Sequence, residues 1–204
     1  MLLNKKVFFF LIAVLFSAGV KAPVCHAFTI LTKEQALKEV FGSDFEIVSE
    51  TERLRGATLA KVKERLGGSL VYEQAGSESE KVSEQKSVEF YYAMKDGKKV
   101  GVAVIDVQPG RWGPVEFIIA MDSTPKVKRV EVMSYQEKRG RPIARRSYMR
   151  QYVGKTTKDP LEVGKDIVGI SGATISSRAA TFSVTKALVL VEEVLLNKKK
   201  GSEE

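Results

Sequence analysis

The chain has 204 residues, of which 44% are hydrophobic, and a formal net charge of +8 at pH 7. It contains one cysteine and one histidine. These counts exclude an intramolecular disulfide and leave almost nothing for a zinc centre, a haem attachment or a histidine base.

Residues 1–27 have the layout of a secretory signal peptide. Two lysines precede an apolar stretch at 7–16, and small residues lead to a cleavage site after Ala27. The apolar stretch is short for a bilayer span, so an uncleaved membrane anchor is the lesser alternative. Cleavage would remove Cys25 and His26, and the net charge would fall to +5 because three lysines and no acid are lost. Redox chemistry in the exported, periplasmic or extracytoplasmic chain would then need an organic cofactor.

Residues 28–86 are predicted to be a helical region followed by a polar linker. A first helix runs from Thr32 to Phe41, with Gln35 at the capping-box position and Gly42 as its stop. A second is expected over 58–66, and 74–86 is a loop or linker.

From residue 88 the hydrophobic period changes to two. Val88, Phe90 and Tyr92 lie on one face of a strand, and Asp96-Gly97 predicts a hairpin turn into a second strand over 100–107. Further strands are expected over 115–121 and 127–135. The meander predicts an α+β fold with an antiparallel, twisted sheet of about four or more strands.

A short basic helix is expected over 144–152, followed by a strand, a tight turn and a long helix beginning near Ile175. The long helix has an apolar face that should pack on the sheet, and 198–204 form a polar tail. Its apolar positions are Ala180, Val184, Ala187, Leu188, Val191 and Leu195, opposite Arg178, Thr181, Thr185, Glu192 and Glu193.

The turn before this helix concentrates hydroxyl groups around two glycines, Gly169 and Gly172. Helix N-termini present free amides under a partial positive charge, so the turn suits a phosphate. The plainer interpretation is a helix cap made by serine and threonine side chains.

The segment Ser171-Gly172-Ala173-Thr174-Ile175-Ser176-Ser177 resembles the flavinylation motif of the FMN-binding domain family, found in subunits of Rnf and Na+-translocating NADH:quinone reductase complexes. The resemblance covers residues 87–197. It implies FMN as cofactor, a phosphodiester to Thr174, and contacts from the other six residues. The partners it implies are a flavin transferase and membrane or periplasmic redox proteins, quinone-linked or cytochrome.

Two further positions carry over from the family. Glu137, in a loop after the fourth strand, corresponds to a glutamate near the flavin, the alternative being an ordinary surface glutamate. The family usually has an acidic residue three positions before the motif, where this chain has Val168, with Asp166 two residues earlier. FMN bound without a covalent bond in the same pocket therefore stays open.

Other patterns give weaker hypotheses. Ser183-Val184-Thr185-Lys186 matches a short hydrolase pattern without its partner motifs. Residues 126–150 hold nine basic side chains, which suit an acidic redox partner or anionic lipid, since export argues against nucleic acid. Trp112 either stacks on a flavin or fills the core, and the same choice applies to Tyr135 and Tyr148.

The sequence thus predicts an exported, single-domain electron-transfer flavoprotein, a carrier or complex subunit rather than a stand-alone enzyme. The alternative is a cofactor-free adaptor that docks a partner or membrane through its basic surface.

Overall fold

A six-stranded antiparallel sheet forms the centre of the molecule, with the strand order β1-β6-β5-β4-β3-β2. The computed structural model describes residues 28–73, 82–135 and 141–197. The strands are β1 (Phe28–Thr29), β2 (Glu46–Arg53), β3 (Ser87–Lys95), β4 (Lys98–Pro109), β5 (Pro114–Asp122) and β6 (Val127–Tyr135). The helices are α1 (Lys33–Phe41), α2 (Gly56–Arg65), α3 (Arg146–Met149) and α4 (Thr174–Leu190), the last continued by a π-helix over Val191–Leu196.

The predicted meander is confirmed as β3 to β6. Asp96 and Gly97 both have positive φ, 51° and 71°, as a two-residue hairpin turn requires. The structure adds β2, which pairs with β3 along its whole length from Glu46↔Met94 to Arg53↔Ser87. The fold class is therefore α+β, with an antiparallel sheet and a long C-terminal helix packed on it.

The sheet lies between two unequal layers of helices. Val88, Phe90 and Tyr92 share a core cluster with Val184 and Leu188 of α4, on one side of the sheet. Tyr91 and Ile118 share a smaller cluster with Ala36 and Leu37 of α1 on the other side. The alternation of side chains along a strand explains this division.

Helix α1 begins as predicted. Thr32 is the N-cap, and it exchanges hydrogen bonds with Gln35 in a complete capping box. Gly42 ends the helix with φ of 96°. Helix α2 also lies close to the predicted 58–66.

Two local predictions were wrong in detail. The helix expected over 144–152 is α-helical only at Arg146–Met149, with 3-10 turns at Arg141–Ala144 and Arg150–Tyr152. The strand expected before the turn reduces to one bridge, Val163↔Ile167. Hydrogen bonds to a side chain replace those of a strand here, because the amides of Leu161 and Glu162 donate to the Asp166 carboxylate.

Some predictions lie outside the described residues. They are the signal peptide at 1–27, most of the polar linker at 74–81, Glu137 and the tail at 198–204. Within the described ranges, no helix has the length and apolar character needed to cross a membrane.

Candidate functional site at the start of the long helix

The hydroxyl-rich turn leads directly into α4. Gly172 has φ of 77°, a conformation that favours glycine, and Ala173 is the N-cap, so Thr174 is the first helical residue. The amide of Ala173 donates to the carbonyl of Ile170 at 2.9 Å, which closes the turn. The predicted helix start near Ile175 is thus confirmed to within one residue.

Ser177 holds this turn against the helix. Its hydroxyl accepts from the amide of Ile170 at 3.2 Å and donates to the carbonyl of Ala173 at 3.0 Å. Ser177 is fully buried. Its role is therefore to fix the turn, and its hydroxyl is already committed to backbone groups.

The simple helix cap is not what the structure contains. Ala173 has no side-chain donor or acceptor, the described residues supply no side-chain cap, and the first turn of α4 has no acidic residue. Helix α1 in the same chain has both a capping box and Glu34 in its first turn. The amides of Thr174, Ile175 and Ser176 thus lack an intrahelical acceptor, and the helix dipole there is uncompensated.

Three hydroxyls differ sharply in their surroundings. Ser171 and Thr174 are exposed, and neither side-chain hydroxyl forms a hydrogen bond with another described residue. Ser176 is fully buried, and its Oγ has no partner among the described residues. The uncapped amides of the first turn of α4 and the exposed hydroxyls of Ser171 and Thr174 together suit a ligand that brings acceptor oxygens. FMN, through its phosphate, fits this donor set.

The loop before the turn is fixed by an ion pair. Lys155 Nζ lies 2.7 Å from Asp166 Oδ2, and the amide of Glu162 donates to Oδ1 at 2.9 Å. Burial opposes ionisation of Asp166, but these hydrogen bonds outweigh it and lower its pKa. The hydrogen bond to Asp166 raises the pKa of Lys155. Asp166 therefore stabilises this loop. It does not take the place of the acidic residue that the family usually has at position 168.

Val168 occupies that family position, and it points outward. Its backbone amide donates to Gln151 Oε1 at 2.8 Å, and its carbonyl accepts from Gln151 Nε2 at 3.4 Å. The Val168 side chain is 74% exposed. Because the backbone is pinned and the side chain is free, a different residue fits here without repacking.

A tyrosine pair packs against the middle of α4. The hydroxyl of Tyr152 lies 2.9 Å from Thr181 Oγ1 and 3.4 Å from the hydroxyl of Tyr148. Burial raises the pKa of Tyr152 well above its usual value, so it stays protonated. Thr181 is buried, contrary to its predicted place on the polar face, because the Tyr152 hydroxyl reaches it.

The remaining candidates divide between core and surface. Tyr135 and Tyr148 are buried, whereas Trp112 is 36% exposed, with the Arg111 guanidinium 5.3 Å from its ring.

In the basic run at 126–150, Arg129 and Arg146 both bind Glu39 at 2.6 Å. Four basic side chains of the run are exposed and form no ion pair within the described ranges: Lys126, Lys128, Arg145 and Arg150.

Sequence reasoning missed a buried polar cluster between β4 and α4. Lys186 Nζ lies 2.6 Å from Asp106 Oδ1, while Ser183 and Gln108 each donate to Oδ2 at 2.8 Å. Gln108 also accepts from the amide of Tyr72 at 2.7 Å. Ser183 and Lys186 of the Ser-x-x-Lys pattern therefore bind Asp106. No group of three or more His, Cys, Asp or Glu residues that could hold a metal ion occurs among the described residues. The sequence signal that could have revealed this cluster was the pair Asp106 and Gln108 on the apolar face of β4.

Comparison with known proteins indicates an FMN-binding domain. Residues 110–189 match the family model of the FMN-binding domain, a range that includes the whole turn and nearly all of α4. Among solved structures, NqrC of Shewanella oneidensis matches with a TM-score of 0.50 and 16% identity, over 80% of this chain and 88% of that one. At this identity the likeness concerns the fold. The curated proteins contained no significant match.

Proposed function

Because residues 110–189 match the FMN-binding domain and thereby indicate FMN as the cofactor, we propose that this protein is an electron-transfer subunit of a membrane redox complex. We propose further that FMN is attached by a phosphodiester to Thr174 and that the chain is exported. The observation that carries the attachment is the uncapped start of α4, where the amides of Thr174, Ile175 and Ser176 lack an intrahelical acceptor and the Thr174 side chain is exposed.

The residues of the turn have separate tasks in this proposal. The amides of Thr174, Ile175 and Ser176 offset the phosphate charge, as helix N-termini do for anions. Gly172 provides the left-handed turn, and Ala173 leaves the space beside it free of a competing side-chain cap. FMN would supply the exchange of electrons. A cofactor that dissociated outside the cytoplasm would be lost, and a covalent bond to Thr174 would prevent that loss.

Exposure supports Thr174 over its neighbours as the attachment point. A transferase has to reach the hydroxyl, and Ser176 and Ser177 are fully buried. Ser171 is exposed but precedes the helix, so it lacks the position of an N1 residue. Thr174 combines access with placement on the helix start.

The decisive experiment is mass measurement after co-expression with a flavin transferase. Wild-type protein should gain one FMN per chain and fluoresce in a denaturing gel. Thr174→Val, which keeps the side-chain shape, should lose both signals, while the control Ser171→Ala should keep them. An adduct that survives in Thr174→Val would refute attachment at this residue.

Native mass measurement separates attachment from binding. A native mass that includes FMN, with a denatured mass that lacks it, would mean a non-covalent cofactor in the same site. The absence of FMN from both would contradict the flavoprotein proposal and favour the cofactor-free adaptor.

The basic surface formed by Lys126, Lys128, Arg145 and Arg150 is proposed to steer an acidic redox partner. These charges are exposed and unpaired within the described ranges, so they act at long range and are screened by salt. Electron transfer to a soluble acidic acceptor should therefore slow as ionic strength rises. A rate unaffected by salt would argue against this role.

A further inference from the structure

Strand β2 forms an open edge of the sheet. It is last in the strand order and pairs with β3, so its outer side has no partner strand within the described ranges. The strand is eight residues long, and six of its side chains are exposed. At the other edge, β6 pairs with β1 and exchanges backbone hydrogen bonds with residues 154–155. An edge such as that of β2 presents main-chain groups to which an extended segment can add as a strand.

This edge carries a row of acidic side chains. Because side chains alternate along a strand, Glu46, Glu50 and Glu52 share one face, with Val48 between them. The register places Val48 opposite Tyr92, so this face is on the α4 side of the sheet. The whole chain has a net charge of +8, so the charge of the row is opposite to that of the molecule.

An apolar groove lies beside the acidic row. Its volume is about 520 Å³, within the range of binding sites. Tyr92 and Val102 of the sheet face the end of the long helix at 191–196 across the groove, and Glu50 and Glu52 border it on the β2 side. The groove therefore combines an apolar lining with carboxylates at its margin.

A lysine of this chain already shows which chemistry the margin favours. Lys99 Nζ lies 3.6 Å from the centre of the Tyr92 ring and 2.6 Å from Glu50 Oε1. Burial raises the pKa of Tyr92, and the negative charges of Glu50 and Glu52 raise it further. The side chains of Lys99 and Glu50 are 43% and 48% exposed, so the pair is accessible to a competing cation. A cation held between an aromatic face and carboxylates is favoured at this position.

The acidic row argues against a second copy of this chain as the partner. Antiparallel pairing of two β2 strands in one continuous sheet brings residues of the same face opposite each other. In the registers with most overlap, Glu46 would lie opposite Glu52, or Glu50 opposite its own copy. Like charges directly opposite each other destabilise a strand pair, whereas basic residues at alternate positions would stabilise it.

We propose that the outer edge of β2 binds an extended basic segment of a partner protein as an additional strand, with its lysine or arginine side chains on the face of Glu46, Glu50 and Glu52. Main-chain hydrogen bonds would hold the segment, and the alternating charges would set its register. The aliphatic stems of its basic side chains would lie towards the groove.

This interface goes beyond the proposed function and is separate from the FMN site. Val191, at the margin of the groove, is about 25 Å from Thr174 along the helix axis. A partner on β2 therefore leaves the turn before α4 uncovered.

Fluorescence anisotropy of labelled peptides tests the edge on the full protein, with and without FMN. An eight-residue peptide that alternates lysine with valine matches β2 in length and should bind. A peptide of the same composition with its four lysines in one block should bind about fivefold more weakly, because only two of them can share a face. Equal binding of the two peptides would reduce the interaction to unspecific charge attraction and overturn the proposal.

Substitutions at the groove margin give the second test. Glu50→Gln should weaken binding of the alternating peptide about two- to fivefold, the effect of one cross-strand charge pair. The matched control Glu162→Gln breaks another exposed pair with a lysine and should leave binding unchanged. Lys99→Gln should strengthen binding more than Lys98→Gln in the adjoining turn, because Lys99 competes for Glu50.

Hydrogen exchange locates the bound peptide. Strand addition gives partners to outward amides of β2, so exchange should slow over 46–53. Protection confined to other segments would overturn the proposal, and so would equal affinities of Glu50→Gln and Glu162→Gln. A dimer of the wild-type protein that dissociates when exchange at 46–53 is restored would place a second copy on this edge and overturn the basic partner.

Discussion

Replacing Asp106 by asparagine should destabilise the protein strongly, although the two side chains have the same shape. Both carboxylate oxygens of Asp106 act as acceptors, Oδ1 for Lys186 and Oδ2 for Ser183 and Gln108. An asparagine has one oxygen and one NH2 group, so one of these two sets of donors must lose its acceptor. The substitution also leaves the Lys186 ammonium without its counter-charge.

The expected cost is set by burial. The side chains of Asp106 and Lys186 are only 6% and 7% exposed, so water cannot replace the lost partner. Breaking one member of such a pair costs about 3–5 kcal/mol. For a domain of this size, 1 kcal/mol corresponds to about 2–4 °C in Tm, so the melting temperature should fall by about 6–20 °C.

Thermal and urea unfolding, followed by circular dichroism on protein without FMN, measures this cost. Lys186→Met should cost a similar amount, and the double variant should cost at least about 2 kcal/mol less than the sum of the two. Lys165→Met is the control, since its ion pair with Glu162 is exposed to solvent and should contribute little to stability. A loss below 1 kcal/mol for Asp106→Asn, or strict additivity, would refute the argument that this buried pair holds α4 to β4.

Two further outcomes concern the loop before the turn. Val168→Asp introduces the family's acidic residue, and it should speed FMN loading by a flavin transferase. Because this position is 74% exposed, stability should change little. A time course of adduct formation in which the variant matches wild type would show that the transferase does not use this position. The lowered pKa of Asp166 means that its ionised form stabilises the fold above pH 3.8 and that this stability is lost as pH falls through the lower, folded-state pKa. Urea midpoints of wild type and Asp166→Asn should therefore differ most near neutral pH and converge below pH 4, and a difference independent of pH would contradict the assigned ion pair with Lys155.

Local rules were sufficient for much of the fold. The capping box at Thr32 and Gln35, the Asp96-Gly97 turn and the period-two strands each depend on neighbours in the chain, and the structure confirms them. The position of Thr174 at the start of a long helix was likewise readable from the switch in period and the glycine turn.

The predictions that went wrong share a physical cause. The expected strand before the motif is replaced by a compact loop because Asp166 binds amides four and five residues earlier in the chain, and Gln151 takes both backbone groups of Val168. Thr181 is buried because a tyrosine far along the chain reaches it. Side-chain hydrogen bonds of this kind follow the three-dimensional arrangement, so hydrophobic periodicity does not reveal them.

The sequence by itself determined the four-stranded meander and the long helix that begins within one residue of Thr174, since periodicity, turn chemistry and a short motif are local properties. Only the tertiary structure decided that this start is uncapped, that Ser176 is buried without a partner, and that Asp106 and Lys186 meet across 80 residues of chain. It alone also placed Tyr72 of the N-terminal region beside Arg178 and Phe182. Burial and unmet hydrogen bonds depend on which distant segments pack together, and packing is a property of the whole fold.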